Sequence, residues 1–119
     1  MKKKILIVDD DLLVLKTLQN LLSRQNYEII CARSGEDAIH CFSLGNFNLI
    51  ISDVRMPGQD GVELLKKIRE KDLEIPFMFI TGYASENTPI DAIKLGAKDY
   101  ILKPFNLDEL LESIKKYIR

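Results

Sequence analysis

A chain of 119 residues with 46% hydrophobic content has the size of one globular domain and can bury a core without disulfide or metal staples. Its 17 basic and 18 acidic residues leave a formal net charge of −1, which excludes an overall field favouring nucleic acid or an acidic membrane. Cys31 and Cys41 lie in apolar surroundings without zinc-ligand spacing and are expected as reduced core residues, and no apolar run is long enough to span a membrane.

Met1 and Lys2 to Lys4 lead into only a short apolar run before Asp9, so the start does not read as a signal peptide and the expected location is cytoplasmic. Short runs rich in branched residues then alternate with longer stretches of helical period, the rhythm of parallel strands joined by crossover helices. The first strand is Ile5 to Val8, followed by a helix that Asp11 can cap. The second, Tyr27 to Ala32, carries Glu28 and polar neighbours, as an edge strand does. Ser34 caps a second helix that holds His40, the single histidine, read as a packing or surface residue, and Gly45 suits its end.

The third strand is Leu49 to Ser52, and Asp60 caps the next helix with Glu63 at capping-box spacing. The fourth strand is Phe77 to Thr81. Thr88 then caps a helix with Pro89 at its first position and Gly96 at its end, in which Ile90, Ile93 and Leu95 are expected to pack. Tyr100 to Leu102 is the fifth strand, and Asn106 with Glu109 opens a last helix. Its stripe of Leu107, Leu110, Leu111, Ile114 and Ile118 should lie on the sheet. Crossovers of this kind are right-handed, so the pattern predicts one domain over residues 1–119, an α/β (βα)5 doubly wound parallel sheet in a three-layer sandwich.

In such a sheet the loops beyond the carboxyl ends of the strands form the site. Asp9, Asp10 and Asp11 follow the first strand, Asp53 the third, Thr81 ends the fourth, and Lys103 and Pro104 follow the fifth. Each has a plain reading: a cap for Asp11, a turn residue for Asp53, a strand residue for Thr81, a solvated charge for Lys103. Four strand ends delivering carboxylates, a hydroxyl and an ammonium to one edge is more than capping or solubility requires. Asp9, Asp10 and Asp53 repel one another, and a divalent cation plus Lys103 balances them. Hard oxygen donors suit magnesium. A phosphoryl group on one carboxylate adds a negative charge, and the Thr81 hydroxyl with the backbone N–H groups after Asp53 can supply donors.

The segments KILIVDDD, LIISDVRMPGQDG, FITGYAS and YILKPF, in this order and spacing, resemble the receiver domains of two-component response regulators over essentially the whole chain. The resemblance implies a flavodoxin-like strand order of 2-1-3-4-5. It makes Asp53 the phosphoacceptor, Asp10 a direct Mg2+ ligand, Asp9 an acidic partner often acting through water, and Arg55 a ligand through its carbonyl. Thr81 becomes the switch hydroxyl, Lys103 the ion-pairing lysine, Pro104 the residue after a cis peptide, and Tyr100 an aromatic gate. Arg55 and Tyr83 are expected to shield the acceptor partially. A sensor histidine kinase or small phosphodonor is the implied source, and the face of the fourth helix, fifth strand and fifth helix the surface read by an output protein or effector domain. The chain is then a signalling phosphoacceptor rather than an enzyme, with no direct contact to nucleic acid or membrane, and a homodimer formed on phosphorylation is allowed for. The VRMPGQDG and TGYAS segments are similar to those of receivers attached to transcriptional activators.

Two other readings stand beside this one. Asp9 and Asp11 resemble the DxD signature of haloacid-dehalogenase-like phosphatases, yet the chain is short, and Asp108, Glu109 and Glu112 read better as helix N-terminal charges than as a second acidic pair. A flavodoxin-like module binding FMN would use the same edge, but its phosphate loop should be rich in Ser, Thr and Gly rather than Asp.

Overall fold

Five short strands, β1 (Lys4–Val8), β2 (Glu28–Ala32), β3 (Leu49–Ser52), β4 (Phe77–Thr81) and β5 (Asp99–Leu102), form one parallel sheet in the order β2-β1-β3-β4-β5. The computed structural model describes residues 2–55, 60–82, 93–94 and 96–119. Helices α1 (Leu12–Ser23), α2 (Gly35–Ser43), α3 (Gly61–Lys71) and a C-terminal helix (Leu107–Tyr117) cover the two faces. Of the helix expected from Thr88, Ile93 and Lys94 are described and helical, while Thr88, Pro89, Ile90 and Leu95 lie outside the described residues. No helix among the described residues is long and apolar enough to cross a membrane.

Successive strand side chains point to opposite faces, so a strand sandwiched between helices must be apolar at every position. On one face Leu6, Val8, Ile50, Phe77 and Phe79 pack with Ala38 of α2 and Leu64, Leu65 and Ile68 of α3. On the other, Ile5, Ile7, Leu49, Ile51, Met78 and Ile80 meet Leu15, Leu18 and Leu22 of α1 and Leu110 and Ile114 of the C-terminal helix. Each Leu, Ile, Val, Phe or Met side chain among them contributes about 1.5–3 kcal/mol on burial. The central strands are therefore held from both sides.

The helix starts follow the capping chemistry. Asp11 accepts from Leu13 N, Ser34 from Asp37 N, Asp60 from Glu63 N and Asn106 from Glu109 N. Gly96 ends its helix with φ +97 and donates to Ile93 O, a left-handed position that glycine tolerates. Gly45 directly follows Leu44, the C-cap of α2, without the positive φ of Gly96.

Three strand starts and the burial of three residues differ from the sequence expectations. β2 starts at Glu28 rather than Tyr27, because the Tyr27 N–H closes the end of α1 on Leu22 O after Asn26 at φ +68. β1 and β5 each start one residue early, where Lys4 pairs with Glu28 and Asp99 with Met78. Cys31 and Cys41 are free thiols at the core margins, partly exposed, their pKa values raised by burial, with the Asp37 carboxylate also raising Cys41. Ile93 does not pack inward but is 69% exposed.

Candidate functional site

Continuation of the strand ladders brings the acids together. Asp9 donates its N–H to Ala32 O at 3.1 Å, and Asp53 donates to Val8 O at 2.9 Å, so both lie one residue past adjacent parallel strands. The Lys103 N–H donates to Thr81 O at 2.8 Å, extending β4 and β5 in the same way. The Asp11 N–H donates back to Asp9 Oδ1 at 2.9 Å, fixing that carboxylate as the chain turns into α1. One oxygen from each of Asp9, Asp10 and Asp53 lies within 4.8 Å of the others.

Asp9 and Thr81 are 1% exposed and Asp53 is 8% exposed, while Asp10 is open to solvent. The Lys103 ammonium reaches back across the sheet to donate to Asp9 Oδ2 at 2.7 Å and to Asp53 Oδ2 at 3.2 Å. Burial raises the Asp9 carboxyl above its ordinary pKa, with the Asp53 charge adding, against the Lys103 ammonium and the Asp11 N–H, which lower it. Burial pulls the Lys103 ammonium down, but its bonds and charge attraction to Asp9 and Asp53 outweigh this, and its pKa lies above the ordinary value. One ammonium against three acids leaves negative charge over, and three hard oxygen donors with solvent access on the Asp10 side fit a divalent cation such as Mg2+.

The other expected residues take these positions. Arg55 is exposed and its N–H donates to Asp53 Oδ1 at 3.4 Å. The Lys103–Pro104 peptide is cis. Tyr100 is half-buried with its ring 6.1 Å from Phe79, and since Phe79 pairs with Tyr100 in the ladder, Thr81 lies two residues along on the same face. Tyr83 and residues 56–59 lie outside the described residues.

Two residues at the site escape sequence reasoning. Ser52 donates its hydroxyl to the Asp53 carbonyl at 2.8 Å, and Gly61 lies against the same carbonyl. Their signals are faint: one hydroxyl at the end of an apolar strand, and a glycine at the first position of a helix already capped by Asp60.

Comparison with known proteins adds the family. The model of the response regulator receiver domain matches residues 5–115. The chain is 38% identical over 98% of its length to "Regulatory protein AtoC" of Escherichia coli (strain K12), of which it spans 27%. It is 39% identical, over 98%, to "Transcriptional regulatory protein CrdR" of Helicobacter pylori, of which it spans 55%. Among solved structures, a CheY-like response regulator receiver domain protein from Methanospirillum hungatei JF-1 superimposes with TM-score 0.94 at 34% identity, covering 98% of this chain and 93% of that one. Response regulator protein TrrA from Thermotoga maritima, in complex with Mg2+-BeF, matches with TM-score 0.89 at 36% identity, covering 98% and 99%. Of the three readings the sequence allows, these findings support one: the chain belongs to the receiver domains of two-component response regulators.

Proposed function

We propose that residues 1–119 act as a single phosphoacceptor domain in which Asp53 takes a phosphoryl group from the phosphohistidine of a sensor kinase or from a small phosphodonor. The observation that carries this is the Lys103 ammonium bridging Asp9 and Asp53 beside an otherwise uncompensated trio of carboxylates. One Asp53 oxygen attacks phosphorus, and the bond from phosphorus to the donor nitrogen or oxygen breaks, its electron pair leaving with the donor. The product is an acyl phosphate on Asp53. A magnesium ion held by Asp9, Asp10, Asp53 and the Arg55 carbonyl would neutralise charge on the phosphoryl oxygens, a reading supported by the Mg2+-BeF complex of the Thermotoga maritima relative.

Lys103 and Thr81 then serve the product. The ammonium, already 3.2 Å from Asp53, pairs with a phosphoryl oxygen, and the Thr81 hydroxyl turns toward another. Tyr100, on the same sheet face as Thr81, follows into the space released, and Pro104 directly follows Lys103 in the same switch segment. The changed surface is that of the fourth helix, β5 and the C-terminal helix. It is read by an output protein, an attached effector domain or a second phosphorylated copy, in the cytoplasm and without direct contact to nucleic acid or membrane. The domain modifies and dephosphorylates itself but has no turnover substrate, and in this it is a signalling element rather than an enzyme.

Asp53→Asn is the test. With acetyl phosphate and Mg2+, the wild type should label at one site and the variant should not; labelling of the variant at full stoichiometry would overturn the assignment.

A further inference from the structure

Several bonds converge on the segment that carries Asp53. Its N–H is held by Val8 O, the Gly61 N–H donates to Val54 O at 2.6 Å, and Ser52 Oγ donates to the Asp53 carbonyl at 2.8 Å. A Cβ added at Gly61 would stand 2.2 Å from the Asp53 carbonyl oxygen and 2.8 Å from the Phe79 ring, so only glycine lets α3 begin this close. Ser52 is fully buried and ends a strand otherwise made of Leu49, Ile50 and Ile51. A buried hydroxyl is costly unless bonded, and this one donates to the Asp53 carbonyl, one residue past the last paired residue of β3.

We propose that Ser52 and Gly61 are positioning residues for the divalent cation, together fixing the peptide plane between Asp53 and Val54 at the Asp53 carbonyl. The inference rests on the reading of Asp53 as the phosphoacceptor beside Mg2+. Two of the groups assigned to the cation, the Asp53 carboxylate and the Arg55 carbonyl, lie on one three-residue stretch, so rotation of a single peptide displaces both. Magnesium demands near-ideal octahedral geometry, whereas calcium accepts irregular oxygen sets. The clamp therefore governs selectivity between the two ions as well as affinity, which a purely structural serine or glycine would not.

Calorimetric titration of the full chain with Mg2+ alone and with Ca2+ alone reads this directly, without a phosphodonor. Ser52→Ala and Gly61→Ala should bind Mg2+ about ten-fold more weakly, the loss typical when a residue supporting a metal ligand is removed, with a smaller loss for Ca2+. Ser52→Thr, which keeps the hydroxyl, should bind as the wild type does. Ile50→Val, on the same strand face but away from the carbonyl, should lower the melting temperature and leave both affinities unchanged. Wild-type Mg2+ affinity in Ser52→Ala, and in Gly61→Ala where it folds, overturns the proposal. If the wild type binds no Mg2+, or Asp53→Asn still accepts phosphate from acetyl phosphate, the proposed function falls with it. If both of those controls hold and only the alanine variants are unaffected, the clamp alone is wrong.

Discussion

Lys103 makes its shorter bond, 2.7 Å, with Asp9, the more deeply buried of the two acids it bridges. A cation held by the same carboxylates must work against that ammonium. Lys103→Met removes the competing charge, so Mg2+ should bind about ten-fold more tightly, equivalent to about 1.4 kcal/mol. The metal-free variant should melt lower than the metal-free wild type, because carboxylate repulsion is no longer offset. Titration with Mg2+ and melts with and without the ion measure both effects.

Arg69 fastens three backbone segments. Its guanidinium donates to Asp72 O at 3.2 Å, Ile75 O at 2.7 Å and Gly96 O at 3.1 Å, joining the end of α3, the approach to β4 and the turn before β5. Arg69→Ala should cost about 2 kcal/mol in urea unfolding, since part-buried carbonyls lose their donors. Arg69→Lys should recover only part of this, because a single ammonium cannot match the planar fork.

Asp72 makes a pH-dependent contribution. The Glu74 N–H at its Oδ1 is the main cause of a pKa below the ordinary 3.8, with Arg119 and the Ile75 N–H acting in the same direction against partial burial. A depressed folded-state pKa means the unfolded chain binds the proton more readily, so the stabilisation is present above 3.8 and fades as pH falls through the folded value. Asp72→Asn should be less stable than the wild type at neutral pH. The gap should close in acid, as denaturant unfolding across that range would register.

Arg55 stands exposed two residues beyond Asp53, with its N–H on Asp53 Oδ1. If its side chain screens the acyl phosphate from water, Arg55→Ala should dephosphorylate a few-fold faster after donor removal. An unchanged decay rate would discard the screening role.

Much of the architecture was written in local chemistry. Asp11, Ser34, Asp60 and Asn106 cap the helices they precede, and the apolar run from Leu49 to Ile51 in β3 announced cover on both faces. The acids at the strand ends were legible for the same reason, since a parallel sheet gathers its carboxyl ends at one edge. Ser52 and Gly61 were not, because their importance lies in distances to one carbonyl that no periodicity encodes. Nor were the margins of the core: Cys31, Cys41 and Ile93 are apolar residues whose exposure depends on which neighbour happens to cover them.

The order of the strands also sets a gradient of stiffness. β1 and β3 each have two strand neighbours and a core on either face, whereas β5 has β4 as its one strand neighbour among the described residues and buries Ile101 alone among its four residues. The floor beneath the carboxylates is therefore stiffest in the middle of the sheet and loosens toward its two margins, β2 and β5. Amides of β5 should accordingly exchange with solvent before those of β1 and β3.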